Sequence, residues 1–342
     1  NPTWAEVNNR NTPVVKAVQK IGSSVVNINT EEVAPTRRNP FRDLRNPFFD
    51  QFFKELVPRL NNNRRSLGSG VIIHPDGYIL TNEHVVARAS SIKVTLIDNR
   101  EFSARLVGAD IKSDLAVIKI ESKKGLPYVK LGRSDDLMIG ETVIAIGNPF
   151  GLEHTVTTGI ISALHRSIKG NKNRVYRDFI QLDASINPGN SGGPLLNING
   201  SLIGVNTAIF KHAEGIGFAI PINKAKRIIN DLIRYGKVRR GWLGISVQNM
   251  TKEMRRFFNV DRTQGVVLDK VMEGSSGSRA GLKQGDVILS LDNNEIIDKS
   301  DYNERVSTYP VGNSIDLKIL RDGKKSQVSL EVSFLPITQV AS

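Results

Sequence analysis

The chain lacks cysteine altogether, has no long apolar run and carries few aromatic residues. Without a cysteine in its 342 residues, it holds no thiol nucleophile, thiolate zinc site or iron–sulfur cluster. The redox compartment stays open, because a cysteine-free chain suits oxidising and reducing spaces alike. The longest apolar stretches, Val143–Gly147 and Gly265–Leu268, have the length of strands, well short of the roughly 18 residues needed to cross a bilayer as a helix. Aromatic residues make up 6%, and the 47 Lys+Arg against 34 Asp+Glu that give a net charge of +13 are spread out. Without an interleaved aromatic platform, this charge argues for no specific nucleic-acid partner and for peripheral contact with acidic surfaces, membranes included. The sequence opens Asn1-Pro2-Thr3 with neither Met nor a basic-then-apolar leader, as expected where a leader or anchor has been removed or the chain trimmed.

What is present reads as two domains and a linker. Residues 13 to 34 pattern as a helix followed by a strand. From Pro35 to Ser66, Arg, Pro and Asn accumulate in what reads as a long loop, within which Phe41 precedes a short helical face of Phe48, Phe49, Phe52, Phe53 and Leu56. That face is either a small core under the loop or an exposed apolar patch for a partner. From Leu67 to Pro221 many short strands alternate with turns, and Asp76-Gly77 and Asn199-Gly200 mark hairpins. This is an all-β pattern suited to a pair of barrels. Asn223 then reads as the cap of a helix with an apolar stripe of Ile222, Ala225, Ile228, Ile229, Leu232 and Ile233, which Gly236 ends. We assign residues 1–236 to a first domain, 237–240 to a basic linker and 241–336 to a small α+β domain with helices near Lys252–Phe258 and Ser300–Ser307. No sequence repeat relates the halves.

One constellation carries chemistry. In Asn187-Pro188-Gly189-Asn190-Ser191-Gly192-Gly193-Pro194, glycines flanking a serine permit a tight turn whose amides suit a developing oxyanion. A serine needs a base. Of five histidines, His74, His154, His165 and His212 fall at loops or loop edges, whereas His84 follows an apolar strand at a short helical turn. Asp114, immediately before the apolar run Leu115–Ile120, needs a hydrogen-bonding partner if buried, which an imidazole supplies. Asp183 is the competing carboxylate and reads as structural. The order His84, Asp114, Ser191 is that of chymotrypsin-type proteases.

The strings GSGVIIHPDGYILTNEHVV, SDLAVIKI, IGNPFGLEHTVTTGIIS, FIQLDASINPGNSGGPLLN and IGFAIP resemble the HtrA (Deg) family of ATP-independent serine proteases, and Gly241–Leu335 resembles its PDZ domain. The resemblance implies a chymotrypsin-like double β-barrel followed by the PDZ domain. It implies a catalytic triad of His84, Asp114 and Ser191, and an oxyanion loop of Gly189, Asn190 and Ser191. Ser185, Ile186 and Ile209 would wall a specificity pocket, and Asn206, Thr207 and Ala208 a substrate-pairing edge. With no acidic residue at Ser185, small aliphatic side chains are expected before the cut. Pro35–Ser66 resembles the family's long regulatory loop and His165–Tyr176 its sensor loop, with Arg166 either contacting a neighbouring subunit near Asp135–Gly140 or solvated. Trp242, Leu243, Gly244 and Ile245 resemble the PDZ loop that holds a peptide C-terminus, with a core role for Trp242 and Ile245 as the other reading.

The expected function is an endopeptidase of the periplasm or cell envelope that degrades unfolded polypeptides, regulated by its loops and PDZ domain. It needs no cofactor or metal and assembles as a homotrimer or multiple of trimers. The alternative is a holdase chaperone or PDZ peptide-binding adaptor whose protease site is latent. The sequence departs from common relatives in having one PDZ domain and no proline in Glu273–Arg279, so the chain reads as a one-PDZ member or a shortened two-PDZ member.

Overall fold

A computed structural model describes residues 10–32, 64–87, 89–148, 155–169, 175–187, 189–207, 215–260 and 265–334. The Phe41–Leu56 patch, His154, Pro188, Ala208, Ile209 and His212 lie outside them. The chain divides into two compact units, Asn1–Val238 and Arg239–Ser342, and the break falls within the basic stretch 237–240.

In the first unit Thr12 accepts a hydrogen bond from the Val15 N–H and Pro13 occupies the first turn, so α1 (Pro13–Ile21) starts where both residue types favour it. Six strands then close one antiparallel barrel: β1 (Val25–Glu32), β2 (Arg64–Ile72), β3 (Tyr78–Thr81), β4 (Ser91–Thr95), β5 (Glu101–Asp110) and β6 (Leu115–Ile120), with helix α2 (Glu83–Val86) after β3. Their order around the barrel is β1-β2-β3-β6-β5-β4. Six more close a second: β7 (Thr142–Gly147), β8 (Thr155–Lys169), β9 (Val175–Leu182), β10 (Pro194–Asn197), β11 (Leu202–Thr207) and β12 (Gly217–Pro221). Read from β7, their order is β7-β8-β9-β12-β11-β10, the same circuit strand for strand. Asp76-Gly77 and Asn199-Gly200 turn the β2–β3 and β10–β11 hairpins.

Each barrel encloses its own core, around Ile28, Ile79 and Ile118 in the first and Val143, Ile180 and Leu195 in the second. A third cluster joins Val25, Leu80 and Val117 of the first barrel to Ile146, Leu202 and Phe218 of the second, and to α3 (Ile222–Tyr235). Strands at this seam are buried on both faces, which is why Leu115–Ile118 of β6 and Leu202–Val205 of β11 read as short apolar runs.

Four expectations need correction. Asn223 is not the cap of α3, which begins one residue earlier; its N–H donates to the Ser134 hydroxyl (3.1 Å), so a distant serine satisfies that helix end. Ile233 is exposed rather than part of the buried stripe, while Gly236 does end the helix, in the left-handed conformation. The loop expected to reach Ser66 ends by Arg64, because 64–66 already pair with Thr30, Glu31 and Glu32. Residues 165–169 and 175–176, read as sensor loop, belong to the long β8–β9 hairpin, where Arg166 pairs with Phe179. None of the helices among the described residues is long and apolar enough to cross a membrane.

The second unit contains β13 (Gly241–Trp242), β14 (Ile245–Asn249), α4 (Lys252–Phe258), β15 (Val266–Val271), α5 (Ser276–Arg279), β16 (Val287–Leu291), β17 (Asn294–Glu295), α6 (Lys299–Thr308), β18 (Ser314–Arg321), β19 (Lys324–Glu331) and β20 (Ser333–Phe334). Thr251, Ser275 and Asp298 cap α4, α5 and α6 through their side chains. The short α5 escapes the sequence reading because Gly277 weakens its helical signal; a side chain there would run into the Leu243 carbonyl. The main sheet runs β14-β15-β16-β18-β19 and leaves β14 at an edge. Buried Asp286 is held by both forks of Arg321, at 2.6 Å each.

Candidate active site

The site is built where the two barrels meet. The β3 strand ends at Thr81, Asn82 leads into the helical turn, and α2 carries His84. Asp114 sits just before β6 with φ +55. That left-handed backbone is tolerated by Asp more readily than by most residues, and the Asn82 side-chain amide donates to the Asp114 carbonyl (2.9 Å). The carboxylate thereby meets His84 twice. Its Oδ1 accepts the His84 N–H (3.1 Å), and both oxygens lie 2.8 Å from His84 Nδ1. Both side chains are about 95% buried. In so dry a setting the carboxylate fixes the Nδ1–H tautomer and leaves Nε2 as the basic nitrogen.

The second barrel supplies the rest. Thr207, at the end of β11, donates its hydroxyl to Asp114 Oδ2 (3.1 Å) across the seam. The preceding residue, Asn206, accepts from the Gly192 N–H and donates its own N–H to the Gly193 carbonyl, both at 2.9 Å. Ser191, fully buried, is adjacent to this clasp, and its carbonyl accepts from the Ser69 N–H of β2 (2.9 Å). Gly192 has φ +83, and a Cβ there would collide with the Ser69 carbonyl and the Thr81 hydroxyl and sit 3.2 Å from the Asn82 nitrogen. Only glycine fits a backbone so turned and so closely approached. Bonds and contacts thus run in a ring from His84 through Asp114, Thr207 and Asn206 to Gly192, and back to the segment bearing His84.

In the Asn187–Ser191 turn, expected to be the oxyanion loop, Gly189 has φ +111. Asn190 is engaged structurally: its N–H donates to the Asn187 carbonyl (3.2 Å), its Oδ1 accepts from the Asn187 N–H (2.9 Å) and its Nδ2 donates to the Ser185 carbonyl (3.0 Å). The amides flanking it, of Gly189 and Ser191, remain the pair that the chymotrypsin arrangement assigns to an oxyanion. The same Asn190 side chain thereby shapes the Ser185–Asn187 wall, which Thr157 also ties through the Ser185 carbonyl (3.0 Å). Opposite, a Cβ on Gly217 would lie 2.7 Å from Ile186. Gly217 was not singled out from the sequence; a glycine opening an otherwise apolar strand is the signal that finds it.

Asn206 is corrected as a substrate-pairing residue. One side of its backbone is occupied by Gly192 and Gly193 and the other by Ala219 of β12. Thr207 is fully buried and acts here as a partner of Asp114. The expected competitor, Asp183, accepts from the Ile160 N–H (2.6 Å) and so ties β8. Arg166 donates to Gln181 (2.8 Å) within its own hairpin. In the 135–140 segment, hydrogen bonds from Arg133 and then Asn223 hold the Asp135 carboxyl far below the usual carboxylate range.

In the second unit, Leu243 and Ile245 are buried in the core while Trp242 is half-buried. Gly244, with φ +75, lies where a Cβ would strike Ser275. Its carbonyl accepts from the Met272 N–H (2.8 Å) and that of Leu243 from Gly277 (2.8 Å). The loop is therefore pinned by its carbonyls, at the start of the edge strand β14. Among the described residues no cluster of metal-ligating side chains occurs.

Residues 68–205 match the trypsin-like peptidase domain family and 241–332 the PDZ domain family. A probable periplasmic serine endoprotease DegP-like of Ectopseudomonas mendocina is 41% identical over 335 residues, covering 93% of this chain and 70% of that protein. A protein of the same name from Hahella chejuensis is 43% identical over 329 residues, covering 93% and 69%. Among solved structures, the HtrA-type protease AlgWS227A with decapeptide superposes with a TM-score of 0.77 at 40% identity, covering 96% of this chain and 99% of that one. The serine endoprotease from Yersinia pestis gives 0.65 at 35%, covering 94% and 98%. Two barrels of one topology, the imidazole–carboxylate pair at their seam and these likenesses lead to one conclusion: the chain belongs to the HtrA family of DegP-like, trypsin-like serine endoproteases, with a PDZ domain after the protease domain.

Proposed function

We propose that Ser191 is the nucleophile of this endopeptidase, His84 its general base and then acid, and Asp114 the group that orients the imidazole. The Gly189 and Ser191 amides take up the negative charge of the tetrahedral intermediate. The observation that carries this reading is the buried His84–Asp114 pair, 2.8 Å apart and shared with Thr207 of the opposite barrel. The wall formed by Ser185, Ile186 and Gly217 offers apolar surface and no charge, and we infer cleavage after small aliphatic residues. Unfolded polypeptides are the substrates, because a cleft at a strand end engages extended chain. The second unit takes peptide C-termini, held by the Leu243–Ile245 amides and added along the open edge of β14; the match to the PDZ domain family and the peptide named in the AlgW structure support peptide binding. The matched relatives are named periplasmic, and we place this chain there. Assembly as a trimer belongs to the same reading and is measured by light scattering.

Ser191→Ala tests the assignment. Its turnover of unfolded casein should fall by about 10⁴-fold or more, the scale of loss seen when a triad nucleophile is removed, with casein still bound and fluorophosphonate labelling abolished. Cleavage at the wild-type rate, with contaminating protease excluded, overturns it. Adding a peptide with an aliphatic C-terminus to the wild type reads the second unit, and unchanged turnover removes the idea of a peptide-controlled site.

A further inference from the structure

Ser69 belongs to neither the triad nor the oxyanion loop, yet it is fully buried and uses all of its polar groups at the seam. It lies on β2 of the first barrel, in register with Asn27 of β1. Its N–H donates to the Ser191 carbonyl (2.9 Å) and its hydroxyl donates to the Gly189 carbonyl. That same hydroxyl accepts the N–H of Asn148 (2.7 Å), a residue of the second barrel. The Ser69 carbonyl accepts from Thr81 (2.7 Å), and the Asn27 amide secures the Asn148 carbonyl (2.6 Å). Glycines on both sides make the approach feasible: a Cβ on Gly68 would lie 2.7 Å from Val85, beside His84, and one on Gly70 would lie 2.7 Å from Ile79.

A carbonyl fixed by a donor fixes the peptide plane it belongs to. With the carbonyls of Gly189 and Ser191 both held by Ser69, the Gly189–Asn190 and Ser191–Gly192 peptide planes are set from the opposite barrel. Gly189 has no side chain to hold its own backbone in the φ +111 conformation. We propose that Ser69 is a positioning residue for this protease, acting through the Gly189 and Ser191 carbonyls to hold the oxyanion loop in register with His84. This rests on the assignment of Ser191 as nucleophile.

The experiment uses the full chain, with wild type and Ser191→Ala in parallel. If the wild type cleaves a chromogenic peptide and Ser191→Ala does not, the nucleophile assignment holds and the Ser69 variants report on Ser69 alone. Ser69→Ala should lower kcat about 10- to 100-fold, somewhat less than direct loss of an oxyanion donor, with KM within about twofold. The shape of the pH–rate profile should stay unchanged. Affinity for a peptide boronate, which forms a tetrahedral adduct, should fall by the same factor as kcat/KM. A folded Ser69→Ala with wild-type kcat, or with KM alone raised, overturns the proposal, as does boronate affinity that stays unchanged. Ser69→Cys places a slightly larger, weaker donor at the same position and should fall between the two; if Ser69→Ala does not fold, a wild-type kcat in Ser69→Cys refutes the role by itself.

Discussion

The two barrels follow the same circuit of six strands and contribute to the site in opposite ways. The first presents side chains: His84 on a helical turn and Asp114 at a strand entrance, locked by Asn82 and by each other. The second presents mainly backbone: a glycine-rich turn whose carbonyls and amides are set by Asn206 and Ser69. A shared architecture therefore does not divide the chemistry evenly. The first half works through functional groups, whereas the second, Ser191 and Thr207 apart, works through backbone that leaves Gly192 no room for a Cβ.

Asp114→Asn tests the first half of that contrast and carries the largest effect. An amide in place of the carboxylate favours the wrong imidazole tautomer, so kcat near neutral pH should drop on the order of 10⁴-fold with the fold retained by circular dichroism. A loss below tenfold would break the comparison. Gly192→Ala tests the second half. The strained backbone and the collision with Ser69 and Thr81 should cost about 1–3 kcal/mol of stability, read as a lowered Tm, and at least tenfold in kcat in the fraction that folds. A variant with unchanged Tm and kcat would show that the turn has slack.

The smallest effect lies outside both barrels and serves as their control. Partial burial, and then its hydrogen bond to Asp292, push the Tyr309 phenol up from 10.0 to about 12. A folded-state pKa raised above the unfolded one gives stability that is complete below pH 10 and lost as pH rises through about 12. With Trp4→Phe leaving Trp242 as the sole tryptophan, its fluorescence in a denaturant titration should show the second unit weakening between those pH values. Tyr309→Phe should flatten that dependence without altering cleavage at neutral pH.

Much of this was legible in the sequence, because chemistry-bearing residues stood at places where periodicity breaks: His84 after an apolar strand, Asp114 before one, Ser191 among glycines. The double-barrel class followed from strand length and turn spacing. The repeat of topology was not legible, since the pleat alternation permits many residues at each inward position and preserves no sequence similarity between halves. Thr207 was read as part of a substrate edge because spacing along one strand cannot reveal a partner 93 positions away. Ser69 and Ser134 were missed for the same reason. Each satisfies a backbone group of a distant segment, and a lone serine carries no periodic signal.

The bond from the Ser69 amide to the Ser191 carbonyl crosses between halves that fold around separate interiors. On the proposed assignment of Ser191 as nucleophile, its activity depends on the two barrels staying docked through that bond.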